Sequence, residues 1–326
     1  MNNHELSNSE IIEGKLIEKA EQLENEGCFS EALLCWRTLF KHNPDPVFLF
    51  HCGRLAMEIK EWVEAEQAFL SAIDLDPDLY IAYHGLAILY EKQDNLEKAQ
   101  EYLKKCLEIN QSADAFTILG SVQKRLSMIL EARESFGKAL QIDPNYEEAL
   151  YNLALTFTDE HPDKAIDLLT KAIEIDPKYS YAHRELGWLL LQRDKYTDAE
   201  YHIRKTIELD NSDVWAYVYL GNLMWKKDEL KDAEEAFKIG IKIWPDESLP
   251  HWCLAHFYEC QDRREEARVL YERALELDPD DPSANLRFGL FLKGIGELEK
   301  ARAHLERVLN IDPDNEHVKQ VLSRLK

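Results

Sequence analysis

Four side chains that could hold a metal fall on one short stretch: His251, Cys253, His256 and Cys260. His256 and Cys260 are four residues apart, which places an imidazole and a thiol on one helical face, as two ligands of a single ion require. Cys253 lies three residues before His256. A tetrahedral site needs more than this, and apart from Glu259 the sequence groups no further ligands with them. Histidines and cysteines at ordinary core positions account for the stretch, so neither a metal nor a cofactor is expected. No Gly-rich phosphate loop occurs, and no GxSxG, HExxH or GxxxxGKS/T motif. No catalytic residue is assigned, and the chain is not expected to be an enzyme.

The other chemistry in reach is recognition, and charge narrows it. The formal net charge is -23. Phosphate binding needs a basic face, so no nucleic-acid partner is expected, and an anionic membrane surface is disfavoured for the same reason. A basic partner is open, although acidic residues coating solvated faces explain the charge as well. The opening residues MNNHELSNSE show no basic stretch followed by an apolar one, and no apolar run is long enough to span a bilayer. None of the six cysteines forms a CxxC pair. Reduced thiols and a cytoplasmic location fit best.

What positions these residues is a repeat. Ala32, Ala65, Ala99, Ala132, Ala165, Ala199, Ala233, Ala267 and Ala301 recur every 33 or 34 residues. Twelve residues before each, or eleven in the fifth case, stands Gly or Ala: Ala20, Gly53, Ala87, Gly120, Ala154, Gly187, Gly221, Ala255 and Gly289. Twelve residues after each alanine, seven of the nine positions are proline, with Gln111 and Asn211 as exceptions. Two antiparallel helices approach closely only where side chains are small, so the Gly/Ala site of a first helix should face the Ala site of a second. A large residue there would overpack the crossing at about 1–3 kcal/mol. Proline lacks an N–H and disfavours helix in the residue before it, so the second helix stops there. Between these markers the apolar residues keep helical spacing, as in Leu186, Leu190, Ala199, Ile203 and Ile207. The first helix is expected at repeat positions 1–14 and the second at about 17–30.

This pattern resembles the tetratricopeptide repeat. The seventh repeat shows it as Tyr217, Leu220, Gly221, Ala233, Phe237 and Pro245, and the third as Tyr83, Leu86, Ala87, Tyr90, Ala99 and Leu103. The resemblance implies an all-α protein, a right-handed superhelical α-solenoid of antiparallel helix pairs. Nine repeats are expected at 13–45, 46–79, 80–112, 113–146, 147–179, 180–213, 214–247, 248–281 and 282–315. A disordered N-terminal tail and helix start should occupy 1–12, and a capping helix with a polar outer side 316–326. The fifth repeat is one residue short at 158–163, which a tight turn would absorb.

The resemblance further implies that positions 2, 5, 9, 12 and 13 of the first helix line a concave groove. In the N-terminal half these positions show no theme. In repeats six to eight they give Tyr181, Arg184, Trp188, Trp215, Asn222, Trp225, Trp252 and His256, with Tyr219 at the groove edge. Four of the chain's seven tryptophans are among them. Trp, Tyr and Arg dominate binding hot spots, and Asn222 could hold a ligand's backbone amide. Two alternatives stay open: the rings pack within the solenoid, or they cover a self-association surface that makes a homo-oligomer. A carboxylate clamp of the kind used by chaperone-binding members would begin at Val218, Asn222, Cys253, Ser283 and Arg287, and only Asn222 and Arg287 have the required chemistry. The expected function is a protein–protein interaction scaffold or adaptor that binds a peptide or partner helix in the groove of repeats six to eight. The alternatives are a regulatory subunit that sequesters or gates a separate enzyme, and a chaperone for hydrophobic client segments.

Overall fold

The computed structural model describes residues 8–325. Within them the chain is all-α, with no strand among the described residues, and forms two compact units that divide at Ile175 and Asp176. The first unit holds α1 (Asn8–Asn25), α2 (Phe29–His42), α3 (Pro46–Glu58), α4 (Trp62–Leu75), α5 (Tyr80–Lys92), α6 (Leu96–Ile109), α7 (Ala113–Arg125), α8 (Ile129–Ile142), α9 (Glu147–Leu155) and α10 (Pro162–Ile175). The second holds α11 (Ser180–Gln192), α12 (Tyr196–Leu209), α13 (Val214–Lys226), α14 (Leu230–Ile243), α15 (Ser248–Cys260), α16 (Arg264–Leu277), α17 (Pro282–Gly294), α18 (Leu298–Ile311) and α19 (Glu316–Ser323). In each unit an odd-numbered helix packs on the even-numbered one after it, and successive pairs stack, which makes an α-solenoid of antiparallel pairs. α1 begins at Asn8, within the tail and helix start expected over 1–12, and residues 1–7 lie outside the described residues.

At the first-helix glycines a small-to-large contact adds to the small-on-small one expected above, for a Cβ added to Gly187 or Gly289 would also stand 3.5 or 3.4 Å from the carbonyl oxygen of the repeated Ala199 or Ala301. A Cβ added to Gly221 would stand 2.7 Å from Cε1 of Phe237, and one added to Gly120 2.6 Å from the same atom of Phe136. At Gly187 the obstacle is Ile203, and at Gly289 it is Leu305. The bulky residue lies one helical turn beyond the repeated alanine, and the missing side chain of the first helix leaves room for it. Phe69, Phe136 and Phe237 are each 0% exposed. Burying such a ring contributes roughly 1.5–3 kcal/mol.

The turn inside each pair has its own device. Gly27, Lys60, Asp94, Ser127, Asp194, Asp228, Asp262 and Gly296 all have positive φ, between 56° and 86°. Each follows an odd-numbered helix and ends it with a left-handed residue. Lys60 N–H donates to Met57 O at 3.0 Å and Glu61 N–H to Ala56 O at 2.8 Å, so the last carbonyls are satisfied. The repeat that is one residue short has no such left-handed residue. Its α9 stops at Leu155, short of the length expected for a first helix, and Thr156 and Phe157 instead donate to Leu153 O and Ala154 O. At the other end, Val318, Val321 and Leu325 of the α19 segment cover Leu305 and Val308 of α18.

Candidate functional site

The second unit contains a cleft of about 850 Å3 whose wall comes from α11, α13, α15 and α17. These four helices start where local chemistry lets them. Asp213 caps α13 by accepting from Ala216 N–H at 3.0 Å, and Asp281 caps α17 by accepting from Ser283 and Ala284 N–H at 2.8 and 3.0 Å. Along α13, Trp215, Tyr219 and Asn222 share a face at helical spacing and look into the cleft beside Trp225. α11 adds Trp188, α15 adds Trp252 and His256, and α17 adds Ser283 and Arg287.

Seven of the nine residues singled out in the sequence are therefore brought together. Tyr219 is 8% exposed and forms the floor rather than an edge. Trp188 stacks on it with ring centroids 4.7 Å apart and planes 19° apart, and Trp215 leans on it at 6.0 Å. Packing and exposure coexist here: Trp188 is held by a ring neighbour and still lines the opening, while Trp215 is 41% exposed. Trp225 meets His256 and Phe257 edge-on, each at 5.5 Å.

The other two residues lie outside the cleft wall. Arg184 is drawn to Asp213 and Glu185, each at 3.0 Å, and lies 5.3 Å from the Tyr181 ring centre. Burial opposes its charge, but the two carboxylates outweigh this and hold the guanidinium charged more firmly than usual. The ion pair ties α11 to the cap of α13, so Arg184 is spent on the scaffold. Tyr181 is half-exposed on the first turn of α11 and does not reach the cleft.

His256 is wired on both ring nitrogens. The Arg287 guanidinium can only donate, so Nε2, 3.2 Å away, accepts from it. The ring proton then sits on Nδ1 and points to Glu259 Oε2 at 3.3 Å. Burial works against the Glu259 charge, but hydrogen bonds from His256 and from the Tyr271 hydroxyl at 2.8 Å hold its carboxyl below the usual range. Cys260 Sγ is 3.9 Å from the same Nδ1. His251 points elsewhere, donating from Nδ1 to Glu247 O at 2.8 Å, and burial pushes the Cys253 thiol well above its ordinary range. Among the described residues no group of three or more His, Cys, Asp or Glu side chains is placed to share an ion. None of the described helices is long and apolar enough to cross a membrane.

Sequence reasoning missed the polar part of the cleft. Asp194, Glu247, Asp278 and Asp281 line it from turns and helix starts, with Lys226 at the end of α13. Their turn positions were legible, but nothing local says that three different turns border one opening. The five clamp positions also meet here, yet two of them present only Val218 and Cys253, 3% and 6% exposed.

A second polar cluster in this unit is an imidazole pair, His183 buried and His202 half-buried. His183 Nε2–H donates to Pro177 O at 3.2 Å, so its Nδ1 accepts from His202 Nδ1–H at 2.9 Å. Burial, and then the neighbouring ring, lower His202 from 6.5 to about 4, and burial lowers His183 as well. An unfolded chain takes up these protons near pH 6.5, and the folded chain resists them. The stability this pair contributes is therefore complete above the unfolded value and is lost as pH falls towards 4. We expect a His202→Gln variant to show a shallower fall in Tm from neutral to acidic pH, read by thermal denaturation. An unchanged slope would assign the acid sensitivity to the other lowered histidines, His51, His251 and His304.

Comparison with known proteins places this geometry in context. Sequence profiles described as tetratricopeptide repeat match residues 80–112, 113–146, 168–201 and 261–325, together about half of the chain. The chain is 26% identical over 195 residues to TPR repeat-containing protein YpiA of Bacillus subtilis, covering 57% of this chain and 46% of that one. It thus spans less than half the length of that curated relative, and 22% of human tetratricopeptide repeat protein 6, to which it is 27% identical over 114 residues. Among solved structures, a tetratricopeptide repeat protein from Parabacteroides merdae superposes with a TM-score of 0.66 at 20% identity, over 76% of this chain and 98% of that one. Yeast Tom70 superposes with a TM-score of 0.57 at 16% identity, over 97% and 88%. These likenesses concern the fold.

Proposed function

Because this chain belongs to the tetratricopeptide repeat family, whose members generally act as protein-interaction scaffolds, we propose that it is a scaffold or adaptor that holds a peptide or partner helix in the cleft of its second unit. One observation carries this reading. Trp188, Trp215, Trp225 and Trp252, from three separate helices, line a single opening of about 850 Å3. Large rigid rings with Asn222 and Arg287 beside them supply contact area at low entropy cost and polar groups to fix a backbone. Seven residues form the proposed binding set: Trp188, Trp215, Tyr219, Asn222, Trp225, Trp252 and His256. Tyr181 and Arg184 support it from outside. The fold of this family is typically non-catalytic, and the wiring of His256 through Glu259 and Arg287 serves to fix a wall rather than to move protons.

A displayed random-peptide library panned against the full chain tests the proposal. Enriched peptides should slow amide hydrogen exchange in α11, α13 and α15. Peptides that protect only helices of the first unit, or a library that yields no ligand, would refute it.

A further inference from the structure

The polar part of the cleft names the chemistry of its occupant. We propose that it takes a basic amphipathic segment of a partner protein, with Lys or Arg side chains interspersed among large apolar ones. This rests on the reading of the cleft as a peptide site and makes it more specific.

Four carboxylates line the opening, those of Asp194, Glu247, Asp278 and Asp281, against two cations, Lys226 and Arg287. None of the four carboxylates has an ion-pair partner among the described residues. Some acidic side chains of this unit are matched, such as Glu200 with Arg204 and Lys227, and Glu234 with Lys238 and Arg263. Three of the cleft carboxylates are held by uncharged donors instead. Asp278 Oδ1 accepts from Asp280 N–H at 3.1 Å, and Asp281 caps α17. Asp194 Oδ1 accepts from the Tyr196 hydroxyl at 2.8 Å. These bonds fix the oxygens in place and leave their charge uncompensated. Of the two cations, the Arg287 guanidinium already gives a hydrogen bond to His256.

An acidic occupant would meet like charge at every one of these turns. A basic one meets opposite charge, and its cations also find indole faces, which attract Lys and Arg through the ring quadrupole. Apolar side chains of the same segment fill the space between Trp188, Trp215, Trp225 and Trp252. The net charge of -23 would steer such a partner from a distance.

Three acetylated and amidated peptides decide the matter: repeated Lys-Leu-Arg-Ala blocks, the same with Gln at every basic position, and the same with Glu. Titration of the full chain, followed by tryptophan emission and calorimetry, should rank them basic, neutral, acidic. The basic form should bind about tenfold tighter than the neutral one, with affinity falling as salt rises. The triple variant Asp194→Asn, Glu247→Gln, Asp278→Asn should lose that preference and keep its hold on the neutral peptide. Asp281 is left intact because it caps α17. If the triple variant lacks native circular dichroism, the ranking on the unaltered chain still decides. A Glu peptide that binds as tightly as the basic one overturns this inference and leaves the peptide cleft standing. A concentration-dependent dimer that excludes all three peptides overturns it in favour of a second copy as occupant. Failure of all three to bind the monomer overturns both readings.

Discussion

Phe237→Ala should destabilise the second unit by about 3–5 kcal/mol, the usual cost of truncating a fully buried phenylalanine. Phe237 is 0% exposed, and its ring fills the room left by Gly221, where an added Cβ would come within 2.7 Å of it. No side chain on α13 can swing in to fill the void, because the residue facing it is a glycine. The ring also lies 5.8 Å from Phe257, which in turn meets Trp225 edge-on, so the loss spreads towards the cleft. Repeat arrays need not unfold in one step. Amide hydrogen exchange is therefore the better readout, and protection should collapse in α13 and α14 before it does in α3 and α4. Phe237→Leu keeps most of the volume and should cost less than about 1.5 kcal/mol. Equal effects from Ala and Leu would show that filling the space opposite Gly221 is not what holds the pair.

Combining Trp188→Ala with Trp252→Ala should weaken partner binding by about 2 kcal/mol or more, roughly thirtyfold, while helicity survives. The two rings approach the cleft from α11 and α15, on either side of α13, so together they remove contact area from both walls. Their structural roles differ. Trp188 stacks on Tyr219, and its loss takes some packing with it. Trp252 makes no ring stack among the described residues, so Trp252→Ala alone should cost binding with little change in Tm. Calorimetric titration with a library-derived peptide, beside thermal denaturation of each variant, separates the two contributions. Should affinity fall only as far as stability falls, the indoles are core and the docking site is elsewhere.

How far these effects could be foreseen differs between fold and site. The pairing of helices was legible from Gly or Ala, then Ala, then Pro at fixed intervals, since each has a local steric reason. The side chain that fills the room left by the glycine belongs to Phe237 and its equivalents, one turn after the repeated alanine. Spacing along one helix says which residues share a face, not which of them reaches across to the glycine. The left-handed residue at each inner turn was missed because only Gly27 and Gly296 advertise it by type. At Lys60, Ser127 and the four aspartates the carbonyls of the preceding helix impose the conformation.

The sequence by itself determined that the chain is helical, that its helices pair, and that four tryptophans fall on first helices late in the array. Helix periodicity, small-residue contacts and proline stops act over a few residues and need no knowledge of the whole. Only the tertiary structure decided which polar groups keep the indoles company. Arg184 is neutralised by Asp213 at the start of a neighbouring helix, His256 is oriented by Arg287 on another, and four carboxylates from three turns border one cleft. The reason is physical: charge and hydrogen bonding act across gaps of a few ångströms, and those gaps are set by how helices pack rather than by spacing along the chain.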